Sequence, residues 1–366
     1  MSSKKSIPGA IVVALGLILA ACGSDAKSST GNTTAGAAAT TTAAAPAATT
    51  TAAPAADTVA PATTTGAAAG SDVPDLSKYK IGFAQVGAES GWRTANTKSI
   101  QASAKAAGAD LLFTDAQGKQ EAQVESIRGF IEQKVNLIAF SPVVETGWDA
   151  VLGEAKAAGI PVILTDRAID SKETDLYKTF LGSDFIAEGE KAGKWVNDAF
   201  ASADSVNIVE LQGTTGSAPA LDRAEGFRNV VKDPKFKFIA SQTGDFTREG
   251  GKKVMEAFLQ ANPKIDLVFA HNDDMGLGAI EAIEAAGLVP GKDMKIVTID
   301  AVHDGMQALA DGKINYIVEC SPLLGPQLMQ LAGKVLSGGT VPNRVVTVET
   351  TFTQEQAKAA LPDRQY

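Results

Sequence analysis

Between Gln85 and Arg93 the chain reads Q-V-G-A-E-S-G-W-R, which sets a carboxylate (Glu89), a hydroxyl (Ser90), a glycine (Gly91), an indole (Trp92) and a guanidinium (Arg93) side by side. Donors and acceptors beside a flat apolar face, all on one short loop, suit a small polyhydroxylated molecule. Asp166-Arg167 closes the apolar run Val162–Thr165 with a second pair of adjacent opposite charges. A carboxylate accepts from two hydroxyls and a guanidinium donates to two more, so such a pair suits vicinal diols. Each charge-assisted hydrogen bond of this kind contributes about 1.5–3 kcal/mol.

Bond-breaking chemistry finds less support in these residue types. Gly216-Ser217-Ala218 lacks the second glycine of a nucleophile elbow, and Gly213-Thr-Thr-Gly216 lacks the Lys-Ser/Thr of a phosphate loop. Asp166 and Asp300 could be paired as glycosidase carboxylates, but one of the two would have to stay protonated in an apolar niche. Asp166 beside Arg167 stays ionised instead. Cys320 has no base partner in the sequence. Two histidines, His271 and His303, without a Cys/His cluster predict no structural zinc, and no cofactor motif is present.

These residues have to be positioned by regular elements. Apolar runs at Ile81–Val86, Asp110–Thr114, Leu137–Phe140, Val162–Thr165, Val206–Leu211, Phe236–Ser241, Leu267–Ala270, Lys295–Ile299 and Tyr316–Glu319 read as strands. Between most of them lie segments of helical periodicity, such as Glu121–Gln133 with Val124, Ile127, Phe130 and Ile131 on one stripe. Repeated alternation of this kind predicts parallel sheets covered by helices. Tyr177–Leu181 followed by Gly182-Ser183-Asp184 breaks the rhythm and reads as the seam between two similar α/β lobes, with one large doubly wound sheet as the alternative. The chain is expected to cross between them near 182–184, near 320–322 and again near 340, making a hinge of several strands.

In open α/β sheets ligands lie outside the carboxyl ends of the strands. Scanning those ends adds Arg223 behind Gln212-Gly213-Thr214, then Asp245-Phe246, His271-Asn272 and Asp300 to the residues already named. Trp92 and Phe246 offer faces to the C–H side of a sugar ring, whereas Trp148 and Trp195 read as core. Asp273, Asp274 and Asp304 follow strands where helix N-caps are expected; Asp115 and Ser141 read equally as caps or as contacts.

Net charge is −9 with pI near 4.9, and no basic cluster interrupts it, which excludes nucleic-acid binding. Lys4 and Lys5 precede the apolar run Ile11–Ala21, which ends in Leu19-Ala20-Ala21-Cys22. That is a secretory signal whose end is similar to a bacterial lipobox, with Cys22 acylated after cleavage. From Gly23 to residue 77 Ala, Thr, Ser, Gly and Pro predominate, a composition that reads as a flexible stalk. The domain reading is therefore 1–22 signal peptide, 23–77 stalk, 78–183 with 322–340 as the first lobe, and 184–321 with 341–366 as the second.

From Lys78 to Tyr366 the chain resembles the periplasmic sugar-binding proteins of ABC importers, of the ribose/galactose type. The resemblance rests on V-G-A-E-S-G-W-R, Asp166-Arg167, V-E-L-Q-G-T, L-D-R-A-E-G-F, S-Q-T-G-D-F-T-R, A-H-N-D-D-M and Thr298-Ile299-Asp300. Within that family E-S-G-W-R, S-P-V-V-E-T-G-W and G-D-F-T-R lie nearest to the members that take galactofuranose. The resemblance implies a type I fold of two α/β/α lobes joined by a multi-strand hinge. It implies that Glu89, Ser90, Gly91, Trp92, Arg93, Asp166 and Arg167 contact a monosaccharide from the first lobe, with Arg223, Asn272 and Asp300 opposite and Phe246 as a wall. The expected protein is a non-enzymatic monomer, lipid-anchored on the outer face of the cytoplasmic membrane, that delivers sugar to an importer permease. A sugar sensor presenting its ligand to a membrane receptor and a secreted carbohydrate-active enzyme are the alternatives. Asp166→Ala or Arg223→Ala is expected to remove binding and leave the fold intact.

Overall fold

The computed structural model of the protein describes residues 73–366. The signal peptide, Cys22 and most of the stalk lie outside the described residues. Among the described residues no helix is long and apolar enough to cross a membrane.

In the first lobe β1 (Lys80–Gln85), α1 (Gly91–Ala106), β2 (Asp110–Asp115), α2 (Gln120–Glu132), β3 (Leu137–Phe140), α3 (Asp149–Ala157), β4 (Val162–Thr165) and β5 (Thr179–Gly182) follow one another. The second lobe repeats the plan with α4 (Phe185–Ala199), β6 (Val206–Gln212), α5 (Ala218–Val230), β7 (Phe236–Thr243), α6 (Arg248–Ala261), β8 (Leu267–Ala270), α7 (Asp273–Ala285), β9 (Lys295–Asp300), α8 (His303–Ala310) and β10 (Tyr316–Glu319). The chain then returns to the first lobe through α9 (Gly325–Leu336) and β11 (Arg344–Val346), and ends in the second with β12 (Thr351–Phe352) and α10 (Gln354–Ala360).

Each lobe has a six-stranded sheet, ordered β2-β1-β3-β4-β5-β11 in the first and β7-β6-β8-β9-β10-β12 in the second. Every pairing is parallel except that of β10 with β12. The runs are continuously apolar because both faces are covered. Ile81, Phe83, Leu137, Ala139 and Ile163 point to one core cluster, while Ala84, Ile138, Phe140, Val162 and Leu164 point to the other. That period-two sorting recurs in the second lobe, with Ile208, Leu267 and Val297 on one face and Val209, Val268 and Ile296 on the other.

The chain passes from the first sheet to the second after Gly182 and leaves the second after Glu319. The third crossing does not fall near 340: Arg344–Val346 still pairs with Phe180–Gly182 in the first sheet, so the chain leaves that lobe after Val346. The Ser337–Gly339 turn ends α9 within the first lobe. The three crossing segments are cross-tied, since Oε1 of Glu349 accepts from Ser183 Oγ at 2.5 Å, Thr347 Oγ1 at 2.8 Å and Ser321 N at 3.1 Å.

The cap assignments also change. Asn272, not Asp273 or Asp274, caps α7, its side chain accepting from Met275 N. Asp273 is buried and accepts from Val302 N and Thr298 Oγ1, and Asp304 sits inside the first turn of α8 rather than at its cap. Trp148 is core, packed on Phe140 with ring centroids 5.0 Å apart.

Candidate functional site

The carboxyl ends of both sheets face each other across a narrow cleft. Its lining is Glu89, Ser90, Trp92, Arg93, Asp166 and Arg167 from the first lobe, Pro219, Arg223, Phe246, Asn272 and Asp300 from the second, and Cys320 from the hinge. Every residue that the resemblance names as a sugar contact lines the cleft except Gly91, whose N–H donates to Asp274 of the opposite lobe at 2.8 Å; Asp115, Ser141, Asp245 and His271, also at strand ends, do not line it. Pro219 and Cys320 were not singled out as contacts. A proline in the first turn of α5 reads as a helix start, and Cys320 reads as hinge.

Local geometry at the strand ends explains how these side chains turn inward. Asp166, Phe246 and Asp300 have φ of 61°, 61° and 128°, a region that costs residues other than glycine roughly 1–3 kcal/mol each. The neighbours hold them there. Asp166 N donates to Leu181 O at 2.7 Å, and a Cβ at Gly213 would come within 1.8 Å of the Phe246 ring, so only glycine admits that ring.

The first-lobe wall is a hydrogen-bonded charge network. Arg93 donates to Glu89 Oε1 (3.1 Å), Gln85 Oε1 (3.3 Å), Ser141 Oγ (3.4 Å) and Asp166 Oδ2 (2.7 Å). Ser141 Oγ donates in turn to Asp166 Oδ2 at 2.9 Å, so Ser141 orients the carboxylate from behind. Burial works to lower the Arg93 pKa, but Asp166 and Glu89 overcome it and hold it above its ordinary value. Arg167 donates to Val143 O at 3.0 Å. Burial first and Arg93 second bring its pKa down to about 10, which leaves it charged at neutral pH.

Opposite, Arg223 donates to Glu188 Oε2 (2.8 Å) and His271 O (2.5 Å) and lies 3.6 Å from Asp300 Oδ1. Burial lifts the Asp300 carboxyl well above the usual range, and Arg223 offsets that in part. Asn272 is fixed at both ends, accepting from Met275 N and donating to Phe246 O, each at 3.0 Å. Guanidiniums cover both aromatic walls, with Arg93 4.7 Å from the Trp92 ring and Arg167 5.3 Å from the Phe246 ring. Burial likewise pushes the Cys320 thiol pKa up, which leaves it un-ionised and a poor nucleophile.

Two buried polar atoms in this cavity, Glu89 Oε2 and Arg167 Nε, have no hydrogen-bond partner among the described residues. Leaving such groups unpaired costs about 1–3 kcal/mol each. A guest offering both donors and acceptors would recover that cost. Three guanidiniums face three carboxylates, so the lining selects no net charge.

The sequence model of the periplasmic binding protein domain matches residues 81–340. The chain is 43% identical over 300 residues to a galactofuranose-binding protein of Escherichia coli (strain K12), covering 81% of this chain and 94% of that one. A crystal structure from Mycobacterium smegmatis in complex with β-D-fucofuranose is 67% identical, with a TM-score of 0.78 and coverage of 79% of this chain and 95% of that one. The arabinose ABC transporter's periplasmic binding protein from Shewanella sp. ANA-3, bound to α- and β-L-arabinofuranose, is 46% identical with a TM-score of 0.75, covering 78% and 95%.

Proposed function

Because the chain belongs to the periplasmic binding protein domain family, we propose that it is the sugar-binding component of an ABC importer and that it takes a monosaccharide in the furanose form. The single observation that carries this reading is the buried, charge-balanced cavity with Glu89 Oε2 and Arg167 Nε left unpaired. Ring hydroxyls donate and accept at once, and a neutral furanose adds no charge to a lining that is already balanced. The furanose preference draws support from relatives whose bound or named sugars are fucofuranose, arabinofuranose and galactofuranose.

In this mechanism sugar enters between parted lobes, bonds to Glu89, Asp166 and Arg167 on one side and to Arg223, Asn272 and Asp300 on the other, and shifts the population to the closed form. The shift is as large as the sugar's preference for that form. The importer then reads the closed face. Nothing in the proposal breaks a bond. We extend it to a monomeric lipoprotein, tethered at Cys22 and held off the membrane by the stalk at 23–77, with lobes that turn about the three crossing segments.

Calorimetric titration of the mature chain with D-fucose, L-arabinose, D-galactose, D-ribose and D-fructose tests the reading. Saturable binding is expected for sugars whose solutions contain a furanose bearing the fucose, arabinose or galactose pattern. A chain that binds none of the five would overturn it.

A further inference from the structure

Ser90, the N-cap of α1 whose Oγ accepts from Arg93 N at 3.1 Å, and Arg93 in the first turn both face the cavity, and that turn has no acidic residue of its own. Helix N-termini carry free N–H groups and partial positive charge, which a carboxylate stabilises. Here the carboxylate comes from the other lobe. Gly91 N donates to Asp274 Oδ2 at 2.8 Å, and Asp274 lies in the first turn of α7. The side chain of Asp274 is buried but does not line the cavity. Its Oδ1 lies 3.5 Å from Nε of Arg248, which also donates to Asp304. A Cβ at Gly91 would lie 3.4 Å from Asp274 Oδ2, an ordinary van der Waals contact. The neighbouring residue on α1 is tied to the hinge, since Trp92 Nε1 donates to Cys320 O at 2.7 Å.

We propose that Asp274 is a closed-state latch: it caps α1 across the cleft, positions the turn that carries Ser90 and Arg93, and raises affinity for the sugar without touching it. The inference rests on the reading that the lobes close on a sugar. In an opened molecule Gly91 N–H and Asp274 each return to water, so their bond is gained at closure. Apparent affinity scales with the closed population, and a contact made at closure slows release more than it speeds capture.

A double-mutant cycle isolates the contact. Asp274→Ala removes the acceptor. Gly91→Pro removes the donor, and proline is at ease as the first helical residue, where the N–H has no intrahelical partner; in the single variant its Cδ also crowds Asp274 Oδ2, a clash that Asp274→Ala relieves in the double variant. Ser90 already has φ −145° and ψ 164°, the extended backbone that must precede proline. The mature wild type, both single variants and the double variant are titrated with D-fucose and L-arabinose, with Trp fluorescence in stopped flow for the rates. Each single variant is expected to bind roughly tenfold more weakly, mainly through the off-rate, and the double variant no more weakly than the worse single. Circular dichroism melts check folding, and Asp274→Asn, which keeps the volume and an acceptor, should lose less than Asp274→Ala.

Single variants within twofold of wild type, or losses that multiply in the double variant, would overturn the latch alone. A wild type that binds none of the five sugars named above overturns the reading of the cavity and the latch with it, and where it binds another of the five in place of these two the same cycle is run with that sugar.

Discussion

On the first-lobe wall Arg93 meets Asp166 at 2.7 Å and Glu89 at 3.1 Å, whereas on the second-lobe wall Asp300 stays 3.6 Å from Arg223 and makes no side-chain hydrogen bond among the described residues. Behind Asp300 stands Asp273, also buried, and burial pushes both carboxyls up, Asp273 to about 7. The first wall thus ties its charges to one another through direct bonds, which fix its geometry before a guest arrives. The second shares one guanidinium among Glu188, the His271 carbonyl and Asp300, so Asp300 is held by charge at a distance and not by a direct bond. One wall presents a rigid template, and the other has charge that a guest's hydroxyls can still redistribute.

The largest expected effect comes from breaking the first wall. Asp166→Ala leaves Arg93 and Arg167 buried with one fewer counter-charge and Ser141 Oγ without its acceptor. Removing one partner of a buried pair costs about 3–5 kcal/mol. The sequence alone suggests a loss of binding with the fold intact. The buried pairing instead predicts that sugar binding disappears and that the melting temperature drops by several degrees. A thermal melt beside a titration checks both, and an unshifted melt would show that the network does not hold the first lobe together.

The second wall is tested by pH. The Asp273 pKa is raised in the fold, so its contribution to stability is complete below the ordinary value near 3.8 and is lost as pH rises through about 7. Asp273→Asn mimics the protonated acid: the amide N–H can donate to Thr298 Oγ1 while the oxygen accepts from Val302 N. Across pH 4 to 7 the wild type should lose on the order of a few kcal/mol relative to Asp273→Asn. Parallel melting curves for the two proteins over that window would rule out a protonated acid behind the second wall.

How much of this was legible follows from which signals are local. Asp166-Arg167, Asn272 and Asp300 stand directly after short apolar runs, and the rule that ligands gather at strand ends found them. Gly91 was misread for a physical reason: its neighbours face the cavity, but its own N–H serves a carboxylate 183 positions away, and no local pattern encodes that partner. The third crossing failed likewise. Arg344–Val346 is short and looks like tail, and it becomes a strand by pairing with β5 far upstream. The cap of α7 moved by one residue because H-N-D-D offers three side chains able to cap, and only the strand register decides which of them stands at the helix start.

The smallest expected effect sharpens the boundary between the two walls. Trp92 belongs to the first lobe by sequence, yet its indole packs in a core cluster of the second with Phe185, Ala218 and Val302. Trp92→Phe keeps a ring beneath Arg93 and deletes the bond from Nε1 to Cys320 O. One such bond contributes about 1 kcal/mol net, so sugar affinity should fall roughly fivefold by titration. A loss beyond a hundredfold would mean that the indole itself contacts the sugar, which makes Trp92 part of the rigid template. Unchanged affinity would mean that closure does not draw on this bond and that the grip of the second lobe on α1 resides at Gly91 and Asp274.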